Sequence, residues 1–297
     1  MLLRCLDNHV KHNIYKHNTL KHIHKISVNK SSRYVHTTTR NNMNGSYTNS
    51  VLDISRLSTD DINTRYKPYK IKNDSNGSND WTKNLVVTII NNENTDQSKI
   101  NTLILYGSLR ERSKSKLLAY ELARILDNNF NNNINVHVYS GIDLPVKSDT
   151  SDSSYAAQEL SMLVQWCDSI ILVSPEQHGS VSGVMKNIID YIQLGQSTDS
   201  KVCAVASANG AAQSYNTVNT LRILGRWLHM YVIPNQVVVS NVTHAFDKND
   251  RLHNTALQHR CIDLCEQLYN TAVILKQHKS LLSDRYSTRN KPSGKKW

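Results

Sequence analysis

From residue 99 onward the chain alternates short apolar runs with helical patterns five times, and this alternation constrains the fold more than any other feature. The runs expected as strands are Thr102 to Tyr106, Ile134 to Tyr139, Asp168 to Val173, Lys201 to Ser207 and Val232 to Ser240. The stretches expected as helices are Lys114 to Asn128, Tyr155 to Trp166, Val181 to Leu194, Gln213 to Met230 and Leu252 to Gln277. Leu118, Leu122, Ile125 and Leu126 keep the i, i+3, i+4 period of one helix, as Val181, Val184, Met185, Ile188, Ile189 and Ile192 do for another. Asp168 to Val173, DSIILV, lacks the polar alternation of a half-exposed strand, so it belongs at the centre of a parallel sheet. Strand–helix repetition of this kind predicts an α/β fold, a doubly wound five-stranded parallel sheet with helices on both faces.

Composition divides the 297 residues into four parts. Residues 1–42 carry eight Lys and Arg against the single acid Asp7, and their His, Ser and Thr content matches an organellar, mitochondrial targeting segment. A basic tail in an otherwise cytoplasmic protein is the alternative. Residues 43–98 are rich in Asn and Ser and read as a largely disordered linker. Two ordered pieces are expected there, YKPY at Tyr66 to Tyr69 and a short helix capped by Asp80 and starting at Trp81. Residues 99–280 form the folded domain, and 281–297 a basic tail.

The formal charge of +11 lies in the ends, because 43–284 is near neutral. That distribution argues against a nucleic-acid groove. No apolar run approaches the length of a membrane span. The five cysteines include no CxxC pair, which points to reduced thiols and no metal site.

In an open α/β sheet, ligands bind beyond the carboxyl ends of the strands. Three turns fall there. Tyr106 to Ser115, YGSLRERSKS, joins a strand to a helix whose first N–H groups carry partial positive charge, so Ser108, Arg110, Ser113 and Ser115 are candidates to hold a phosphate. A Ser-rich helix cap beside solvated arginines is the competing reading. The spacing matches neither GxGxxG nor GxxxxGK[ST], which leaves a mononucleotide phosphate.

The second turn contains Ser174, Pro175, Glu176, Gln177, His178 and Gly179, the last permitting close backbone approach to a flat ring. Glu176 and His178 are candidates to position an acceptor or supply a proton, or else are structural. The third turn contains Gly210, Ala211, Ala212 and Gln213. Arg222 and Arg226, with Trp227, face either a nucleotide phosphate or a neighbouring subunit.

LILYGSLRERSKSKLLAYELARIL, GIDLPVK, SPEQHGSVSGVMKNIIDYI, AQSYNTVNTLRILGRWLHM and IPNQ, in this order, resemble the ArsH branch of the NADPH-dependent FMN reductases. The resemblance covers roughly Tyr66 to Arg289, including Asp80 and Trp81 and the late DRYS. It implies a flavodoxin-like fold, non-covalently bound FMN and a homo-oligomer, commonly a tetramer.

It also implies that Ser108, Arg110, Ser113 and Ser115 hold the FMN phosphate. Ser174 to Gly179 would then line the ring, with the loop around Gly210 to Gln213 on its other side. Hydride would pass from NADPH to FMN and then to a small-molecule electron acceptor such as a quinone, azo compound, oxygen or organoarsenical. An FMN-binding electron carrier or scaffold is the alternative. The chain departs from the family in the short segment Leu194 to Lys201 and in Ala211 and Ala212, where Gly and Ser are usual.

Overall fold

A computed structural model describes residues 58–70, 80–90, 99–130, 133–194, 197–210 and 215–289. The targeting reading of 1–42 lies outside the described residues, as do Ala211, Ala212 and Gln213.

Five strands form one parallel sheet: β1 (Ile100–Tyr106), β2 (Ile134–Ser140), β3 (Ser169–Ser174), β6 (Val202–Ala208) and β7 (Tyr231–Val239). Their order is β2-β1-β3-β6-β7, with β3 central. All six residues of β3 are buried, as its continuous apolar sequence requires.

Alternate side chains of each strand face opposite cores. Ile104, Ile171, Val173 and Ala204 pack with α2 (Lys114–Asn129) and α6 (Thr255–Gln277). Leu103, Leu105, Ile170 and Val205 pack with α3 (Tyr155–Trp166), α4 (Gly183–Asp190) and α5 (Tyr215–Trp227). Each fully buried Leu or Ile contributes about 2 kcal/mol.

Four of the helices around the sheet begin at a small polar residue whose side chain caps the first turn: Ser113 accepts from Lys116 N, Ser154 from Ala157 N, Ser182 from Met185 N and Asn254 from Leu257 N. Ser182 therefore starts α4 two residues later than the apolar period alone implies. Val181 belongs instead to a hairpin, β4 (Glu176–Gln177) with β5 (Ser180–Val181), that periodicity could not reveal.

The region before the sheet differs from expectation in two places. Residues 58–66 are not linker: Ser58 caps α1 (Thr59–Tyr66), with Asp60 and Asp61 in its first turn. Asp80 starts no helix. Its Oδ1 accepts from Thr82 N and Thr82 Oγ1, a local turn, and pairs with Arg251. Arg251 also binds Glu121 of α2, which is fully buried.

Tyr66 and Tyr69 are buried in the domain. Arg65 and the Tyr66 hydroxyl both donate to the buried carboxylate of Glu159, the Tyr66 bond being 2.6 Å. Two short helices, α7 (Lys279–Ser283) and α8 (Tyr286–Arg289), extend into the segment read as tail. Arg285 between them donates to Asp199 at 2.8 Å. Among the described residues no helix is long and apolar enough to cross a membrane.

Candidate functional site

The strand register brings the points from which the three turns leave the sheet to one edge. Tyr106 pairs with Val173, and Ser174 pairs with Ser207, so β1, β3 and β6 end side by side. The winding reverses between β1 and β3: α2 leads to β2 on one side, and α4 leads to β6 on the other. That crevice is where this topology places ligands.

The first turn is held by its neighbours. Gly107 N donates to Val173 O, and Ser182 Oγ donates to Gly107 O at 2.6 Å. A Cβ on Gly107 would lie 2.5 Å from Met185 Cβ, so this glycine is needed for packing against α4. Ser113 and Ser115 are buried with their hydroxyls 3.0 Å apart. Ser113 is the α2 cap as well as a phosphate candidate, so the two readings of this serine are compatible.

No acid sits in the first turn of α2, which carries Lys114 and Lys116 instead. Cations there oppose the helix dipole, an arrangement that suits a bound anion better than the bare helix. Ser108 is partly exposed. Arg110 is exposed and makes no ion pair among the described residues. Arg112 is held by Asp250, 2.7 Å away, as a structural arginine would be.

The second turn is a hairpin. His178 and Gly179 both have positive φ, 49° and 75°, as the two-residue turns that match strand twist require. Gly179 thus serves the turn itself, and His178 is exposed at the tip. Ser174 Oγ accepts from Ser182 N and donates to Pro175 O. Glu176 Oε2 accepts from Thr217 N at 3.3 Å and Thr217 Oγ1 at 3.2 Å, so its carboxylate caps α5. Gln177 is exposed.

Of the third turn only Gly210 is described, and it is exposed. Arg222 does not face a nucleotide: its guanidinium donates to Ile233 O, Pro234 O and Gln236 Oε1 and braces β7. Arg226 stacks on Trp227, 4.8 Å from the ring centroid.

Sequence reasoning missed Ser182, Thr217 and Ser207. The first two bind the turns together. Ser207 Oγ is buried at the end of β6 and has no hydrogen-bond partner among the described residues. Buried hydroxyls are rarely left so, and one at this edge fits a site that takes a polar ligand. A cavity of about 370 Å³ elsewhere is lined by Asp152, Gln158, Met162, Tyr191 and neighbours, and includes no residue of the three turns. It offers no cation for a phosphate, so the turns remain the site.

The family model for NADPH-dependent FMN reductases matches residues 100–244. The NADPH-dependent FMN reductase ArsH of Rhizobium meliloti (strain 1021) is 40% identical over 191 residues, covering 63% of this chain and 78% of that one. The chain belongs to the ArsH-type NADPH-dependent FMN reductases. This family consists of oxidoreductases that use FMN and NADPH.

A 2-hydroxy-1,4-benzoquinone reductase from Burkholderia is 30% identical over 93 residues, covering 30% of this chain and 47% of that one. An oxidoreductase structure from Corynebacterium diphtheriae superposes with a TM-score of 0.51 at 16% identity, covering 60% of this chain and 99% of that one. At that identity the likeness shows the shared fold alone. The matched residues 100–244 contain all three turns.

Proposed function

We propose that this chain oxidises NADPH through FMN held in the β1/β3 crevice and reduces a small quinone-like acceptor. The observation that carries the site is the convergence of three turns at the switch point, one of them opening a helix whose first turn is basic. Ser108, Arg110, Ser113 and Ser115 would hold the FMN phosphate. The β4–β5 hairpin and residues 210–213 would flank its ring. Bound FMN supplies two-electron chemistry, taking hydride from a nicotinamide and passing it to an acceptor.

The protein's part is to bind, orient and exclude water. Glu176 already accepts two hydrogen bonds from Thr217, and this engagement speaks against a role as proton donor. The partial similarity to a benzoquinone reductase supports a quinone among the acceptors named above. We also place the chain in a homo-oligomer. The support is α5, where Ile223 and Trp227 are 56% and 61% exposed, beside the exposed Tyr231. The basic segment 1–42 supports mitochondrial targeting.

The deciding experiment is purification followed by an FMN titration and an NADPH oxidation assay with a quinone acceptor. A yellow protein that consumes NADPH and quinone in equal amounts is expected. A yellow protein that leaves NADPH untouched would reduce the reading to an electron carrier. One that takes up no FMN would overturn it.

A further inference from the structure

We infer that Glu176 is a positioning residue of the flavin pocket, acting through Thr217 to hold the β4–β5 hairpin at a fixed distance from the start of α5. The inference rests on the FMN reading of the crevice and concerns how its walls are joined.

Thr217 is the third residue of α5, so its N–H is one of the first four that no intrahelical carbonyl can satisfy. The chain supplies the missing acceptor from a different element, Glu176 at the start of β4. The Thr217 hydroxyl is shared between Glu176 Oε2 and Ser180 O, 3.1 Å away on β5, so one buried threonine grips both hairpin strands. The carboxylate also faces the positive end of the α5 dipole, which strengthens the cap.

On the hairpin's other flank, Ser182 donates its N–H to Ser174 Oγ and its hydroxyl to Gly107 O. A continuous series of bonds therefore runs from the phosphate turn through the hairpin to α5. Its link at α5 is Glu176 with Thr217, and α5 follows directly on the third turn. Loosening that link would let two walls separate while the phosphate contacts of the first turn stay in place.

The test uses the full chain and measures FMN affinity by quenching of flavin fluorescence, amide exchange at Thr217, and NADPH turnover at saturating FMN. Glu176→Ala and Thr217→Val are each expected to weaken FMN binding about tenfold, the size of a lost helix cap. The double variant is expected to be no worse than either single one. Thr217→Ser, which keeps the hydroxyl, should stay within about threefold, and Glu176→Ala should speed exchange at the Thr217 amide. Turnover at saturating FMN should fall by less than the affinity does.

Glu176→Gln keeps the shape and one acceptor oxygen. It covers the case in which the alanine variant does not fold, with an expected loss of about threefold. Unchanged FMN affinity in these variants would overturn the inference. A hundredfold loss of turnover at saturating FMN, with a limb missing from the pH profile, would also overturn it by making Glu176 a proton donor. Failure of the unaltered protein to bind FMN would instead overturn the pocket reading itself.

Discussion

Arg110 and Arg112 lie two residues apart in one turn, and their surroundings separate them. Arg112 is held by Asp250, whereas Arg110 is exposed with no ion pair among the described residues. Arg110→Ala is expected to raise the FMN dissociation constant about tenfold, the worth of one charge-assisted phosphate contact. Arg112→Ala should change it by less than about twofold. Equal losses in an FMN titration would refute the distinction.

His137 behaves differently. Its ring is stacked between Tyr66 and Trp166, with centroids 4.8 and 4.1 Å away, and its Nδ1 is buried without a partner among the described residues. Burial, helped by the charge of Lys67, pushes its pKa down from 6.5 to about 4. The neutral form is favoured in the folded state, so between pH 6.5 and 4 the unfolded chain takes up a proton that the folded chain refuses. Stability from this group is full above pH 6.5 and falls by about 3 kcal/mol on reaching pH 4. Urea unfolding of His137→Phe, which keeps a flat ring, should show a shallower loss than the parent across that window. Parallel curves would refute the account.

At the scale of elements, the seat of α4 against the first turn sets the crevice. Gly107→Ala would place a Cβ 2.5 Å from Met185 Cβ and 2.9 Å from Ser182 Oγ. The expected cost is about 2 kcal/mol, read as a lowered thermal midpoint. The atom in the way is a Cβ, which alanine keeps, so adding Met185→Ala should not restore the midpoint.

The β4–β5 hairpin shows why the sequence alone was insufficient here. SPEQHGS is legible as a turn after a buried strand, and the His-Gly pair is consistent with positive φ. That Glu176 caps α5 depends on Thr217, forty-one residues away, and no local pattern records such a pairing. Arg222 is the same case. A helix-face arginine reads as a ligand group until β7 is seen to supply two carbonyls and Gln236 to it.

For the molecule as a whole, the described segments before the sheet, residues 58–70 and 80–90, are part of the domain. Arg65 and Tyr66 meet the buried Glu159, and Asp80 meets Arg251 and through it Glu121. Burial alone would raise the Asp80 carboxyl, but the hydrogen bonds from Arg251 and Thr82 outweigh it and hold it below its ordinary value. Removing residues 1–42 is expected to leave FMN affinity within about twofold and the thermal midpoint unmoved, because the three candidate turns all lie between residues 106 and 213 and the described core begins at residue 58. Removing 1–70 takes away both partners of Glu159 and uncovers the His137 stack. The midpoint should then fall by about 5 °C or more, since an uncompensated buried carboxylate costs several kcal/mol. Differential scanning calorimetry of the two truncations checks both outcomes.

The five-stranded parallel sheet, its buried central strand and the grouping of the three turns at one edge were set by the sequence itself. Apolar period and turn residues act over a few neighbouring positions and can be read in order. The joining of the turns was decided only by the tertiary structure. Which serine caps a helix, which arginine is already spent and which carboxylate clamps the pocket are all fixed by partners brought together from distant positions. Their worth comes from burial that exists only once the sheet and its helices have closed.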